Sequence, residues 1–201
     1  MADATKIQGQ LLDWKDLPDT ATDSPSVSSD ELSVGAGTVD IELTITVAHT
    51  DVNAAGTNYV VANVEKKING KWYLHQAVQC GGGTAVLEAV VATSNSGQTH
   101  IEVADTTDWD TGSGERLFLK DANILDSEIV EIFGWADNDY YIASENLENT
   151  HLDTADLLNG LSEHPVYIPN GVAAVRVIFH NADDDANYAV RIDYTAVTEF
   201  V

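Results

Sequence analysis

At 201 residues the chain is long enough to bury a core without a metal or a disulfide, and 9 Lys and Arg against 33 Asp and Glu give it a formal charge of -24 at pH 7. A field of that sign repels phosphate backbones and anionic head groups, which argues against nucleic acid and membrane surfaces as partners. The carboxylates recur from Asp3 to Glu199 and hydrophobic residues make up 44%, so the composition is that of an acidic folded protein rather than an acidic tail.

Cys80 is the single cysteine, so no internal disulfide is possible, and a small buried side chain is the expected role. No apolar run reaches 18 residues, and MADATKIQGQLLDWKD has neither the basic nor the apolar region of a signal peptide. The expectation is a soluble protein made inside the cell.

Residues 1–30 include LPDTATDSPSVSSDE, rich in Pro, Ser, Thr and Asp without apolar periodicity. They are expected to form an extended N-terminal arm. Its apolar residues Ile7, Leu11, Leu12, Trp14 and Leu17 would allow one helical turn, or would dock on a partner.

From Thr38 the pattern turns to β. TVDIELTITVAH sets Val39, Ile41, Leu43, Ile45 and Val47 on one face against Asp40, Glu42, Thr44 and Thr46 on the other. In NYVVANVEKKINGKWYLHQAV, Asn69-Gly70 supplies the two positive φ angles of a type I′ hairpin. Gly81, Gly82 and Gly83 end that strand, and TAVLEAVVA begins another. Near the C-terminus GVAAVRVIFHNA and NYAVRIDYTAVTEF flank ADDDAN, and are expected to pair directly as a hairpin, Val172, Val175, Val177 and Phe179 against Tyr188, Val190, Ile192 and Tyr194.

Residues 94–162 read as a separate module of four or five short strands, THIEVAD, ERLFLKD, SEIVEIFGW and NDYYIASE, followed by one helical turn or an irregular return in NLENTHLDTADLLNG. The predicted fold is all-β: an antiparallel β-sandwich of jelly-roll or Ig-like type from 31–93 and 163–201, interrupted by the small module.

Chemistry finds little foothold in the sequence. Glu128 and Glu131 lie three apart on one strand, hence on opposite faces, and are expected to be solvated or to cap turns. Asp105, Asp108 and Asp110 are oxygen ligands on a loop, but their spacing does not fit a calcium loop, and Asp183, Asp184 and Asp185 read as a solvated turn. His49, His75, His100, His151, His164 and His180 form no zinc-binding or triad motif, and no phosphate-binding loop is present. No catalytic residue, cofactor or metal is expected. Among the aromatics Trp72, Tyr73, Trp109, Trp135, Tyr140 and Tyr141, core filling is expected for at least half, and Trp109, in a polar loop, is the one expected to face a partner.

The middle module carries a resemblance. Gly114, Leu117, Leu119, the run Ser127-Glu128-Ile129-Val130-Glu131-Ile132, the turn Asp137-Asn138-Asp139, then Tyr141, Leu147 and His151 follow a pattern that resembles a module of tailed-phage virion proteins; Trp135 and the Tyr140-Tyr141 pair depart from it. The resemblance implies a non-enzymatic structural protein of the particle, of the capsid decoration or cement type. Such a protein would sit on the capsid surface, bridge copies of the major capsid protein and act as a homo-oligomer, with a trimer preferred. Alternatives are a tail or baseplate protein, a carbohydrate-binding or adhesion module using Trp109, Trp135 and Tyr140, and a hydrolase with converging carboxylates.

Overall fold

The computed structural model describes residues 4–19, 26–35, 37–50, 59–81, 87–104, 114–136, 140–182 and 186–199. All of the regular structure among them is β apart from one 3-10 turn at Ile124–Asp126, and no helix there is long and apolar enough to cross a membrane.

Two antiparallel sheets make a sandwich. The first has the order β1 (Ala4–Leu17), β15 (Tyr188–Glu199), β4 (Thr38–His49), β13 (Leu161–Ile168). The second runs β2 (Ser26–Ser28), β14 (Ala174–Asn181), β5 (Val60–Ile68), β6 (Lys71–Cys80), with β3 (Leu32–Ser33) also on β14. Alternate residues of both sheets point inward, and Leu43, Ile45, Val47, Val64, Val177, Phe179, Tyr188 and Ile192 fill the space between them. The predicted sandwich is therefore present.

The β5–β6 hairpin turns where Asn69-Gly70 predicts, with φ of 50° and 78° at the two residues. A Cβ built on Gly70 meets nothing within 4 Å, so any cost of a side chain there is backbone strain alone. Gly70→Ala is accordingly expected to lose about 1–2 kcal/mol in thermal denaturation, while Asn69→Gly stays near neutral.

Three expectations are corrected. Residues 4–17 are not an arm: they form β1, paired with β15 from Ala4↔Glu199 to Leu17↔Tyr188. Two register shifts, at Gln10/Leu12 and Leu12/Lys15, explain why the sequence hides this strand. Each bulge breaks the two-residue alternation, and the apolar side chains are thereby distributed over two cores. Leu11 and Leu17 enter the sandwich, with Leu12 packed beside them, and Trp14 goes elsewhere. Residues 26–28, also assigned to the arm, pair with β14.

Second, β14 and β15 do not pair with each other. β14 bonds β5, β2 and β3, whereas β15 bonds β1 and β4, so the two strands lie in opposite sheets. Their apolar residues do meet, but across the sandwich core rather than within one sheet.

Third, the module starts earlier and has more strands. β7 (Leu87–Ala89), assigned by sequence to the sandwich, pairs instead with β12 (Asp156–Leu158), part of the predicted irregular return. The strand order is β7, β12, β9 (Glu115–Lys120), β10 (Glu128–Ala136), β11 (Tyr140–Ala143), β8 (His100–Glu102). A bridge from Val90 to Val103 and the bond from Val91 N–H to the Glu102 carbonyl, 3.0 Å, join the two ends, so the sheet closes into a six-stranded barrel. Closure removes its edges, and Ile101, Leu117, Leu119, Val130, Ile132, Tyr141 and Leu157 fill the interior.

The barrel sits on the outer face of the first sheet. Ile129, Phe118 and Leu158 lie in register across β10, β9 and β12 and form an apolar row on the outside of the barrel. Opposite them, Ala48 and Ala189 are paired on β4 and β15, a flat place on which the row can rest. Trp14 closes the seam, its ring centroid 4.4 Å from that of Phe118 at a tilt of 47°. This contact buries the far end of β4 on both faces, from Ile45 to His49.

Candidate functional site

The ionisable residues with the most distinctive surroundings lie where the barrel meets the return loop. Glu128 begins β10 and shares the inward phase of Val130 and Ile132, so its carboxylate falls at the end of the barrel interior. Only 7% of the residue is exposed. Its Oε2 accepts the Glu148 backbone N–H at 3.0 Å, its Oε1 accepts that of Asn149 at 3.0 Å, and Nε2 of the fully buried His151 lies 2.7 Å from the same Oε1. Burial pushes the Glu128 carboxyl up, but the His151 contact and the two backbone donors together outweigh it and hold the group below its ordinary value.

On the other side of the imidazole, Nδ1 of His151 is 3.5 Å from Asp121 Oδ2, an ion-pair distance that is long for a hydrogen bond. Asp121 follows β9, and its backbone N–H donates to Ser127 Oγ at 2.9 Å. The backbone of His151 is itself bridged to Ser94. An imidazole set between two carboxylates, one of which also ties down two backbone amides, fastens the end of β9, the start of β10 and the 147–151 return to one another.

This arrangement suits a strut better than a reaction centre. The Glu128 oxygens are occupied by three donors, and a carboxyl held low is the opposite of a general acid poised near neutrality. Ser127 Oγ is engaged by Asp121. Cys80, fully buried in the sandwich, has its thiol pushed up to about 12 by burial, which keeps it protonated and unreactive at neutral pH. Among the described residues no group of three His, Cys, Asp or Glu side chains is placed to hold a metal ion.

A groove of about 340 Å³ runs along the seam beside the strut. Arg116 of β9 bonds Glu163 of β13 across it, and Arg191 bonds Asp193 two residues along β15 at 3.0 Å. Both arginines are thus committed to carboxylates; the Arg116–Glu163 pair alone of the two links barrel to sandwich, and at this half-exposed surface each pair contributes little to stability.

The partner-binding residues expected from sequence do not form one surface. Leu11, Trp14 and Leu17 are 7%, 1% and 0% exposed and serve the protein's own cores; a partner cannot reach them. Leu12 is half-buried, and Ile7, 45% exposed, is the one of the five that faces solvent. Trp109, the three aspartates around it, the 137–139 turn and Asp183 to Asp185 lie outside the described residues, as does the side chain of Trp135. Tyr141 fills the barrel, while Tyr140 stands edge-on to His100 at 6.4 Å. The sequence missed the Glu128–His151–Asp121 strut because His151 reaches the two carboxylates only when the 147–151 return folds back on the β9–β10 connection; its one signal was a glutamate in phase with two core residues.

What the geometry defines is an all-β, two-module protein, a sandwich carrying a closed barrel. No protein-family model matches the chain, and no curated protein matches it by sequence. Among solved structures it is similar to the infectious bursal disease virus Gt strain structure, at 7% identity and TM-score 0.27, covering 99% of this chain and 42% of that one. It is also similar to PNGase F, a glycosylasparaginase from Flavobacterium meningosepticum, at 10% identity and TM-score 0.29, covering 96% of each chain. A third similarity is to VP17, a capsid protein of bacteriophage P23-77, at 8% identity and TM-score 0.18, covering 98% of this chain and 99% of that one. These likenesses are too distant to carry a function to this chain.

Proposed function

We propose that this chain is a non-enzymatic structural protein of a virus particle, of the decoration or cement type, which binds the outside of the head shell as a homo-oligomer and bridges copies of the major capsid protein. The observation that supports this reading is the fate of the segment resembling tailed-phage virion modules. It folds as a closed barrel, seated by an apolar row on a β-sandwich, and its most buried carboxylate is spent on holding a loop. A closed sheet whose buried carboxylate is spent on backbone donors suits a building block. The charge of -24 keeps decorated particles apart.

Leu11, Trp14 and Leu17 of β1 are buried in the protein's own cores and do not meet the shell. The shell would be met by exposed side chains such as Phe133, 66% exposed at a bulge of β10, and Leu125, 55% exposed on the 3-10 turn. The test is co-sedimentation of the purified full chain with undecorated, expanded tailed-phage shells. Saturable binding that is weakened by Phe133→Asp is the expected outcome, and absence of binding at any protein concentration would remove the cement reading.

A further inference from the structure

Of the edges that the two sandwich sheets leave open, one lacks protection. β6 carries a bulge between the pairs Glu65↔Leu74 and Val64↔Gln76, and its extra residue, His75, reaches the Tyr167 carbonyl of β13 with Nε2 at 2.9 Å. β13 contains Pro165, which has no N–H to offer, and β2 and β3 are three and two residues long. Bulges, prolines and short strands all discourage edge-to-edge pairing. β1, at the other edge of the first sheet, has its two bulges only after Gln10, and from Ala4 to Gln10 its register with β15 is unbroken. Thr5, Lys6, Ile7, Gln8 and Gln10 are all exposed, and among the described residues no strand other than β15 pairs with this stretch.

The Thr5 carbonyl turns toward β15, where Thr198 Oγ1 donates to it at 3.4 Å. By the alternation of an antiparallel ladder, Lys6, Gln8 and Gln10 then point their N–H and C=O groups away from β15, to the free edge. On the face that leads into the sandwich core, Ile7 is paired with Ala196 but remains 45% exposed. Two residues on, the ring of Tyr194 lies across Gly9, where a Cβ would come within 2.7 Å of it, and so reaches toward the same edge. Lys6 is the single charged residue from Ala4 to Leu12, in a chain of net charge -24.

We propose that residues 4–10 are a docking edge whose occupant is the same segment of a second copy, added antiparallel about a two-fold axis at Ile7, so that two four-stranded sheets join into one. That register sets Ile7 against Ile7, Lys6 opposite Gln8, and Thr5 opposite Gly9 beside the Tyr194 ring. It also pairs the outward-facing backbone groups of Lys6 and Gln8 with one another, and it opposes no like charges. Copies that repel one another over the rest of their surface can meet here through backbone bonds and a small apolar centre. The contact is isologous and makes dimers, not the trimer that the resemblance implies. It rests on the oligomeric part of the function proposed above and forms without the shell.

Analytical ultracentrifugation of the purified full chain, without shells, tests the contact at concentrations up to about 1 mM and at about 0.05 M and about 0.5 M salt. Dimers are expected, and more of them at the higher salt, which screens the repulsion between acidic bodies and spares the backbone bonds. Gln8→Pro removes an N–H that points to solvent in the monomer. The axis doubles that loss, and the dimer should weaken about ten-fold or more. Ile7→Lys should weaken it comparably, although it makes the chain less negative, because two ammonium groups then meet on the axis. This second variant leaves the backbone intact, so its result decides even where Gln8→Pro loosens β1. A chain that stays monomeric at both salts, an Ile7→Lys variant that dimerises like wild type, or dimers that dissociate as salt is raised would each overturn the contact. Shell binding is read separately. A monomeric chain whose shell binding both variants abolish would replace the second copy by a strand of the shell protein and leave the cement reading standing, whereas dimers that bind no shell would do the reverse.

Discussion

Replacing Trp14 by alanine is expected to lower the unfolding free energy by about 3–5 kcal/mol. The indole is 1% exposed and forms the seam between barrel and sandwich with Phe118, Ala48, Ala189 and Leu158. Its removal opens a cavity between two modules that share few other apolar contacts. Phe118→Ala should cost a similar amount. The two changes together should cost less than their sum, because the rings touch at 4.4 Å and each substitution already removes their contact. Ile7→Ala, on the same strand seven residues before Trp14 but 45% exposed, should change stability by less than about 1 kcal/mol. Urea denaturation followed by fluorescence measures all four variants against wild type. Had the first residues been an arm, neither Trp14 nor Ile7 would matter to folding.

The second large effect is expected at Glu128. In Glu128→Gln the side chain keeps its shape, but three donors converge on the two carboxylate oxygens. Either orientation of the amide turns its NH2 toward a backbone N–H, that of Glu148 or that of Asn149. A buried His151 loses its charged partner at the same time. A loss of about 3 kcal/mol or more is expected at neutral pH. The wild-type protein should also show this group in its acid limb. Because Glu128 is held below its ordinary value of 4.5 when folded, the unfolded chain takes up the proton first on acidification. The stability that ionised Glu128 contributes is complete above that value and is lost as pH falls through the lower, folded one. Glu128→Gln has no such proton to take up, so its stability should fall less steeply with acid than that of wild type.

Legibility in the sequence followed the range of the signal. β4, the β5–β6 hairpin and four of the barrel strands, β8 to β11, were readable because alternation and Asn-Gly are local properties of the chain, whereas β7 and β12 were not. β1 was not, since its two bulges put Leu11, Leu12, Trp14 and Leu17 out of period and its partner β15 lies at the other end of the chain. The β14–β15 error has a related cause: alternation reveals which face of a strand is apolar, not which strand lies beside it. Both strands present their apolar faces to one core, a result the pattern could not distinguish from a hairpin. Ala48 and Ala189 gave no sign that a barrel rests on them, because small residues in a strand resemble weak strand formers.

Where the first strand lies decides which surfaces remain for partners, and hydrogen–deuterium exchange on the purified full chain measures it directly. The expected result is that peptides covering residues 4–17 are protected to a degree comparable with those covering β4, since β1 is paired with β15 along its length and buries Trp14 and Leu17. Exchange of those peptides at the rate of an unstructured chain, with β4 and β15 still protected, would contradict it and would return the N-terminal residues to the role of a docking arm.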